Sequence, residues 1–131
     1  CYEKWLQIKG KWVMRIVVAG SRAFNDYPKL KSVLDELIAN TPKEMVEIVS
    51  GTARGADKLG EKYAEETGLK VVRFPANWDL YGKRAGYLRN VDMAKYGTHC
   101  VCFWDGVSKG TSHMINISKN EGLELKIVMY N

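Results

Sequence analysis

Five short apolar runs separated by segments of helical periodicity constrain this sequence more than any other feature. The first, Val13 to Ala19, is apolar throughout except for Arg15, the pattern of a central parallel strand covered on both faces. The others are Val46 to Val49, Leu69 to Phe74, His99 to Phe103 and Leu123 to Met129. After the first, Asp26 is placed to cap a helix opening at Tyr27-Pro28, with Leu30, Val33, Leu34, Leu37 and Ile38 on one stripe and Asn40-Thr41-Pro42 as its stop. A second helix-like run, Lys58 to Thr67, joins Ala56 in presenting Leu59, Gly60, Tyr63 and Ala64 on one face and stops at Gly68. A third runs from about Gly86 to Tyr96 after a loop beginning at Ala76, and a fourth spans Thr111 to Glu121 after a loop from Trp104 to Gly110. Strands alternating with helices of this length predict parallel pairing through right-handed crossovers. The expected fold is α/β, a single Rossmann-like three-layer α/β/α sandwich on a mainly parallel five-stranded sheet.

A chain of 131 residues holds one such domain, expected over 14–131. Core-like patterning begins only near Val13, so residues 1–13 are expected to be an N-terminal extension or expression remnant that adds little to the site. An edge strand anchored by Trp5 and Trp12 is the alternative. No apolar run approaches the ~20 residues that span a bilayer and no signal-peptide pattern opens the sequence, so no membrane partner is expected. Cys1, Cys100 and Cys102 give neither a disulfide framework nor a zinc-ligand spacing, which fits a reducing cytoplasm and calls for no metal or cofactor. Twenty Lys and Arg against fifteen Asp and Glu leave a net charge of +5. The cations are scattered, which suits a small anion better than a polyanion and ranks nucleic acid second.

In open α/β sheets, ligands bind outside the carboxyl ends of the strands, where strand order reverses. Four unusual loops lead to that rim. They are Gly20-Ser21-Arg22; Ser50-Gly51-Thr52-Ala53-Arg54-Gly55-Ala56-Asp57; Pro75 to Arg89-Asn90, which contains Trp78, Lys83 and Arg84; and Trp104-Asp105-Gly106-Val107-Ser108-Lys109-Gly110-Thr111. A strand that breaks into small residues and starts a helix exposes backbone N–H groups at the positive end of a helix dipole. Arginine forks suit phosphate, and flat rings suit a base or ribose edge. Each turn taken alone also reads as loop geometry. Neither the phosphate-loop spacing nor G-x-G-x-x-G is present, so triphosphate hydrolysis and ordinary dinucleotide binding are not indicated. His99 reads as structural, and His113 as either a ligand contact or a solvent-facing residue. Asp57 and Asp105 read as partners for arginine or for a ribose hydroxyl.

Taken in order, Val18-Ala19-Gly20-Ser21-Arg22, Ser50 to Asp57, Phe74-Pro75-Ala76-Asn77-Trp78, Gly82-Lys83 with Ala85-Gly86, Arg89-Asn90 with Met93-Ala94, and Phe103 to Gly106 with Ser108 to Thr111 resemble the SLOG superfamily, most closely its YspA-type, YpsA-related branch. The resemblance runs from about Arg15 to Met129. It implies a Rossmann-like sheet that binds or senses a nucleotide or nucleotide-derived small molecule, and protomers that pair as a homodimer. The superfamily also includes LOG-type phosphoribohydrolases and DprA, which binds single-stranded DNA. LOG-type enzymes carry G-G-x-G-T-x-x-E, and Met114 stands here where that glutamate would be. A thioether neither transfers a proton nor offers charge to an oxocarbenium-like centre, so binding without chemistry is the leading expectation. A hydrolase with a relocated carboxylate (Asp57 or Asp105) and a DprA-like single-strand binder are the alternatives. The expected ligand-binding residues are Gly20, Ser21, Arg22, Ser50, Gly51, Thr52, Arg54, Gly55, Asp57, Trp78, Arg89, Asn90, Trp104, Asp105, Ser108, Gly110 and Thr111.

Overall fold

The computed structural model describes residues 6–8 and 11–130, with side chains from Val13 to Tyr130 except that of Lys83. The strands are β1 (Leu6–Ile8), β2 (Lys11–Gly20), β3 (Val46–Ser50), β4 (Lys70–Arg73), β5 (His99–Trp104) and β6 (Glu124–Met129). The helices are α1 (Tyr27–Leu37), α2 (Ala56–Thr67), α3 (Trp78–Tyr81), α4 (Ala85–Tyr96) and α5 (Lys109–Asn120). Five strands pair in parallel in the order β4-β3-β2-β5-β6. This is the expected Rossmann-like α/β sheet. Antiparallel to the start of β2 runs β1, with Leu6 opposite Val13. The anchoring of such a strand by Trp5 and Trp12 lies outside the described residues and side chains.

Alternation along β2 builds the two cores. Met14, Ile16 and Val18 join Leu30 and Leu34 of α1 and Tyr63 and Ala64 of α2 on one face. Val17 and Ala19 join Met93 and Ala94 of α4 and Met114 and Ile115 of α5 on the other. Cys100 and Cys102 lie two apart in β5, both in this second core and both free thiols. The capping expected of Asp26 is present, its carboxylate accepting the Lys29 N–H at 3.2 Å.

Two segments depart from the sequence reading, the first being the stretch expected as an extension, where β2 starts at Lys11 and β1 adds an antiparallel sixth strand. In the second, the expected loop over 76–86 contains α3 and a 3-10 turn, Gly82–Arg84, before α4. Asn77, a loop-forming residue by composition, is instead a helix cap whose Oδ1 accepts the Leu80 N–H at 3.1 Å. No residue of α3 is buried, so its sequence carries no buried stripe to reveal it. Asn77→Ala should cost this turn about 1 kcal/mol. Amide exchange at Tyr81, whose N–H bonds Asn77 O, should accelerate roughly fivefold while α4 amides stay unchanged.

Candidate ligand site at the carboxyl ends of the strands

The chain runs from β2 outward through β3 to β4, then returns to the far side of β2 to add β5 and β6. Strand order therefore reverses between β2 and β5, and a cavity of about 450 Å³ opens at their carboxyl ends. Gly20, Ser21, Arg22, Asp57, Arg89, Asn90, Asp105, Ser108, Gly110 and Thr111 line it. A second hollow of about 370 Å³ adjoins it, shares Arg22 and Arg89, and adds Gly51, Thr52, Arg54 and Trp78. Ser50, Gly55 and Trp104 line neither hollow. Ser50 is fully buried, and its hydroxyl donates to Glu61 Oε2 at 2.6 Å while accepting the Thr52 N–H at 3.0 Å. The Trp104 indole N–H donates to Ser108 O at 3.1 Å, which braces the last loop. Ala53, Lys109, Met93 and Met114 line the larger cavity and were not among the expected contacts. Ala53 and Lys109 are signalled only by lying within the loops just named, and the two methionines by their place in the buried faces of α4 and α5.

The loop before α5 is built by Asp105. Its Oδ1 accepts the N–H groups of Val107 and Ser108 at 2.9 and 2.8 Å, and Oδ2 accepts the Ser108 hydroxyl at 3.0 Å. These donors hold the Asp105 carboxyl below the usual aspartate range, the backbone amides contributing most. Ser21 Oγ lies 2.9 Å from Ser108 Oγ. The Ser21 side chain also hydrogen-bonds the Asp105 carboxylate, so the two hydroxyls and the carboxylate form one cluster. The Ser108 side chain makes no capping bond to α5, and the first-turn residues Lys109, Gly110 and Thr111 line the cavity.

Across the cavity, Asp57 sits in the first turn of α2 with only 5% of its surface exposed. Burial pushes its carboxyl up to about 6, against the opposing pull of Arg89 and of the Ala53 and Gly51 amides. Arg89 donates from Nη1 to Gly51 O at 2.5 Å and from Nε to Asn90 Oδ1 at 3.0 Å. Partial burial and the neighbouring Arg22 lower its pKa, while Asp57 raises it. Glycine at 51 is what lets these groups meet, because a Cβ there would stand 2.8 Å from both Arg89 Nη1 and Asp57 Oδ2. Thr52 adopts φ +65°, uncommon for a β-branched residue and costly by roughly 1 kcal/mol or more. Thr52→Gly should raise unfolding stability by about 1 kcal/mol in a denaturant titration, with the slope unchanged.

The sequence and the fold have counterparts among known proteins. Residues 14–81 match the family model for YspA, cpYpsA-related SLOG proteins. The Gene 61 protein of Mycobacterium phage D29 is 32% identical over 115 residues, covering 83% of this chain and 91% of that protein. Among solved structures, DNA processing protein A from Streptococcus pneumoniae matches with a TM-score of 0.73 at 18% identity over 91% of this chain. DNA processing protein A from Helicobacter pylori, which binds single-stranded DNA, matches with a TM-score of 0.60 at 16% identity over 90% of this chain. The chain spans about half of the first of these structures (51%) and 66% of the second, and at these identities they show the shared fold. The family model spans more than half of the chain, and the chain belongs to the YspA, cpYpsA-related SLOG family.

Proposed function

We propose that this rim binds a nucleotide-derived small molecule. One observation carries the reading: two hollows meet at Arg22 and Arg89, with the uncapped start of α5 lining one and the Trp78 ring and Arg54 the other. Anionic groups suit the shared guanidiniums and the helix start, and a base suits the half-exposed indole. Asp105 spends its oxygens on its own loop and so shapes the site from behind.

The test is a thermal-shift and calorimetry panel with AMP, ADP, ADP-ribose, NAD and guanine nucleotides, run beside Arg54→Ala. Arg54 is exposed and holds no ion pair or hydrogen bond among the described residues, so its removal leaves the fold intact. A ligand at ~100 times its dissociation constant should stabilise the protein by about 2.7 kcal/mol. Arg54→Ala should weaken binding roughly tenfold or more, the worth of a charge-assisted bond. Unchanged affinity in the variant, or no stabilisation by any nucleotide, overturns the proposal.

A second reading has its own observation. Five exposed large apolar side chains, Trp78, Leu80, Tyr81, Tyr87 and Leu88, stand on α3 and the first turn of α4 near exposed Arg54 and Arg84, while Val107, Ile127 and Met129 are exposed elsewhere. Aromatic faces next to scattered cations suit single-stranded nucleic acid, the ligand of the Helicobacter relative in fold. Under this reading, affinity for oligothymidylate rises with length up to several nucleotides, falls steeply with salt, and drops on Tyr81→Ala. Salt-insensitive binding of mononucleotides alone excludes it.

A further inference from the structure

His113 lines neither hollow, yet its ring closes a chain of contacts that ends on Arg89, one of the two arginines shared by both. The identity of each atom follows from what Arg89 is able to do. A guanidinium only donates, so the Asn90 atom 3.0 Å from Arg89 Nε is its carbonyl oxygen. The other end of that amide, Nδ2, is then a donor, and it lies 3.3 Å from His113 Nδ1. Nδ1 must therefore carry a lone pair, which leaves the hydrogen on Nε2 and the imidazole neutral. Asn90 is buried and makes both contacts at once, so its amide is held in one orientation from both sides.

The structure assigns His113 to a positioning role: as acceptor for Asn90 it fixes the amide that fixes the Arg89 guanidinium at the junction of the two hollows, and proton uptake by the ring releases that hold. A protonated Nδ1 faces the Asn90 N–H group with a second donor. Relief by rotating the amide about its axis would turn the N–H group onto Arg89 Nε, donor against donor. Either outcome frees the guanidinium from one of its two fixed partners, leaving Gly51 O.

The surroundings of the ring are simple. From α4, Tyr87 packs its ring edge-on at 4.4 Å and Asn90 supplies the hydrogen bond. On its own helix, the charged Lys109 stands one turn earlier. Arg89 lies one group further away through Asn90, and Asp57, from α2, acts on Arg89 beyond that. Burial lowers the pKa of His113. The neutral ring is thus the folded form at neutral pH, and the hold weakens as acidity reaches below the ordinary histidine range.

The first measurement needs no ligand. Side-chain NMR follows the Asn90 amide, the Arg89 Nε–H and the His113 ring between pH 5 and 8. The Asn90 amide should shift with the His113 midpoint in the unmodified protein. In His113→Asn, whose Oδ1 takes the place of Nδ1 and does not titrate, it should stay at its high-pH position. In His113→Ala it should be displaced at every pH. Asp57 titrates in the same range, so any Arg89 movement that persists in His113→Asn belongs to it. An Asn90 amide that titrates equally in His113→Asn, or that ignores the histidine midpoint, overturns the assignment.

The affinity arm rests on the binding reading above and uses ADP-ribose, whose diester phosphates hold constant charge over this range. Its affinity should fall roughly three- to tenfold on acidification, the worth of one hydrogen bond, and should fall less in His113→Asn. A rise on acidification would mean that the added positive charge outweighs positioning, and would overturn this arm. If ADP-ribose fails to bind at any pH while the NMR result holds, the binding reading fails and the positioning assignment stands.

Discussion

Gly55→Ala should cost the protein about 3–5 kcal/mol and lower its melting temperature by on the order of 10–20 °C. Gly55 holds φ +82° and ψ −129°, a region essentially closed to residues with a Cβ. A Cβ there would also lie 2.3 Å from the Ser21 carbonyl oxygen and 2.8 Å from Arg22 C, both backbone atoms of the first rim loop. Strain and collision add, because neither the turn nor the loop is able to yield without moving the other. Gly68 supplies the control. It has a similar φ of +77° with nothing within 4 Å of its Cβ, so Gly68→Ala should cost only about 1 kcal/mol. Calorimetric melting of the two variants sets the combined strain and collision at Gly55 against the milder left-handed helical conformation of Gly68, with ψ +28° and open space around it. Equal losses would show that neither the added strain at Gly55 nor the contact between α2 and the Ser21-Arg22 loop contributes. Gly55 thus joins the site from underneath, by allowing the start of α2 to sit against the loop that carries Arg22.

Asp57→Asn is the second large effect, and its sign is the reverse. Burial raises the folded carboxyl to about 6 from an ordinary value of 3.8. The folded state therefore binds more protons than the unfolded chain between those values, and stability falls as pH rises through them. Above about pH 6 the ionised carboxylate is a standing cost of roughly 2–3 kcal/mol relative to strong acid. Asparagine keeps the shape and removes the charge. The variant should be more stable than the unmodified protein by up to that amount at pH 8, and the two should converge near pH 4. Parallel denaturant titrations at both pH values check this, and a constant difference across the range would show that Arg89 fully compensates the charge. A carboxylate kept at such cost beside Arg89 holds a strained balance at the rim of the cavity.

Much of this was legible in the residues. The apolar run of β2 and the stripe of α1 report burial directly, since Met14, Ile16, Val17, Val18 and Ala19 and all five residues of the α1 stripe pack into one of the two cores. The four rim loops were also legible, because small residues and arginines after a strand have few structural uses at such density. Two things were not. Periodicity says nothing about a helix with no buried face, so the sequence of α3 reads as loop. A loop's composition also does not say which way each side chain turns, so Ser50 was read as a ligand donor although its hydroxyl is spent on Glu61. The meeting of Asp57 with Arg89, and of Asn90 with His113, depends on how α2, α4 and α5 converge over the sheet, which only the assembled topology determines.

The pairing of β2 with β5 has a further consequence, for the chain during synthesis. Ile16–Gly20 must wait for His99–Phe103, roughly 80 residues later, before the second edge of β2 is covered. Until then a nascent chain holding β2, β3 and β4 presents an open parallel edge of Ile16, Val17 and Val18, a template for association with another chain. That half already displays Arg22 and Arg54, whereas Arg89, Ser108 and the start of α5 emerge seconds later at ordinary elongation rates. A ligand that needs both groups cannot be captured by a partial product. Its binding would act as a seal on completed chains, drawing the late half onto the early one and withdrawing the exposed edge from aggregation.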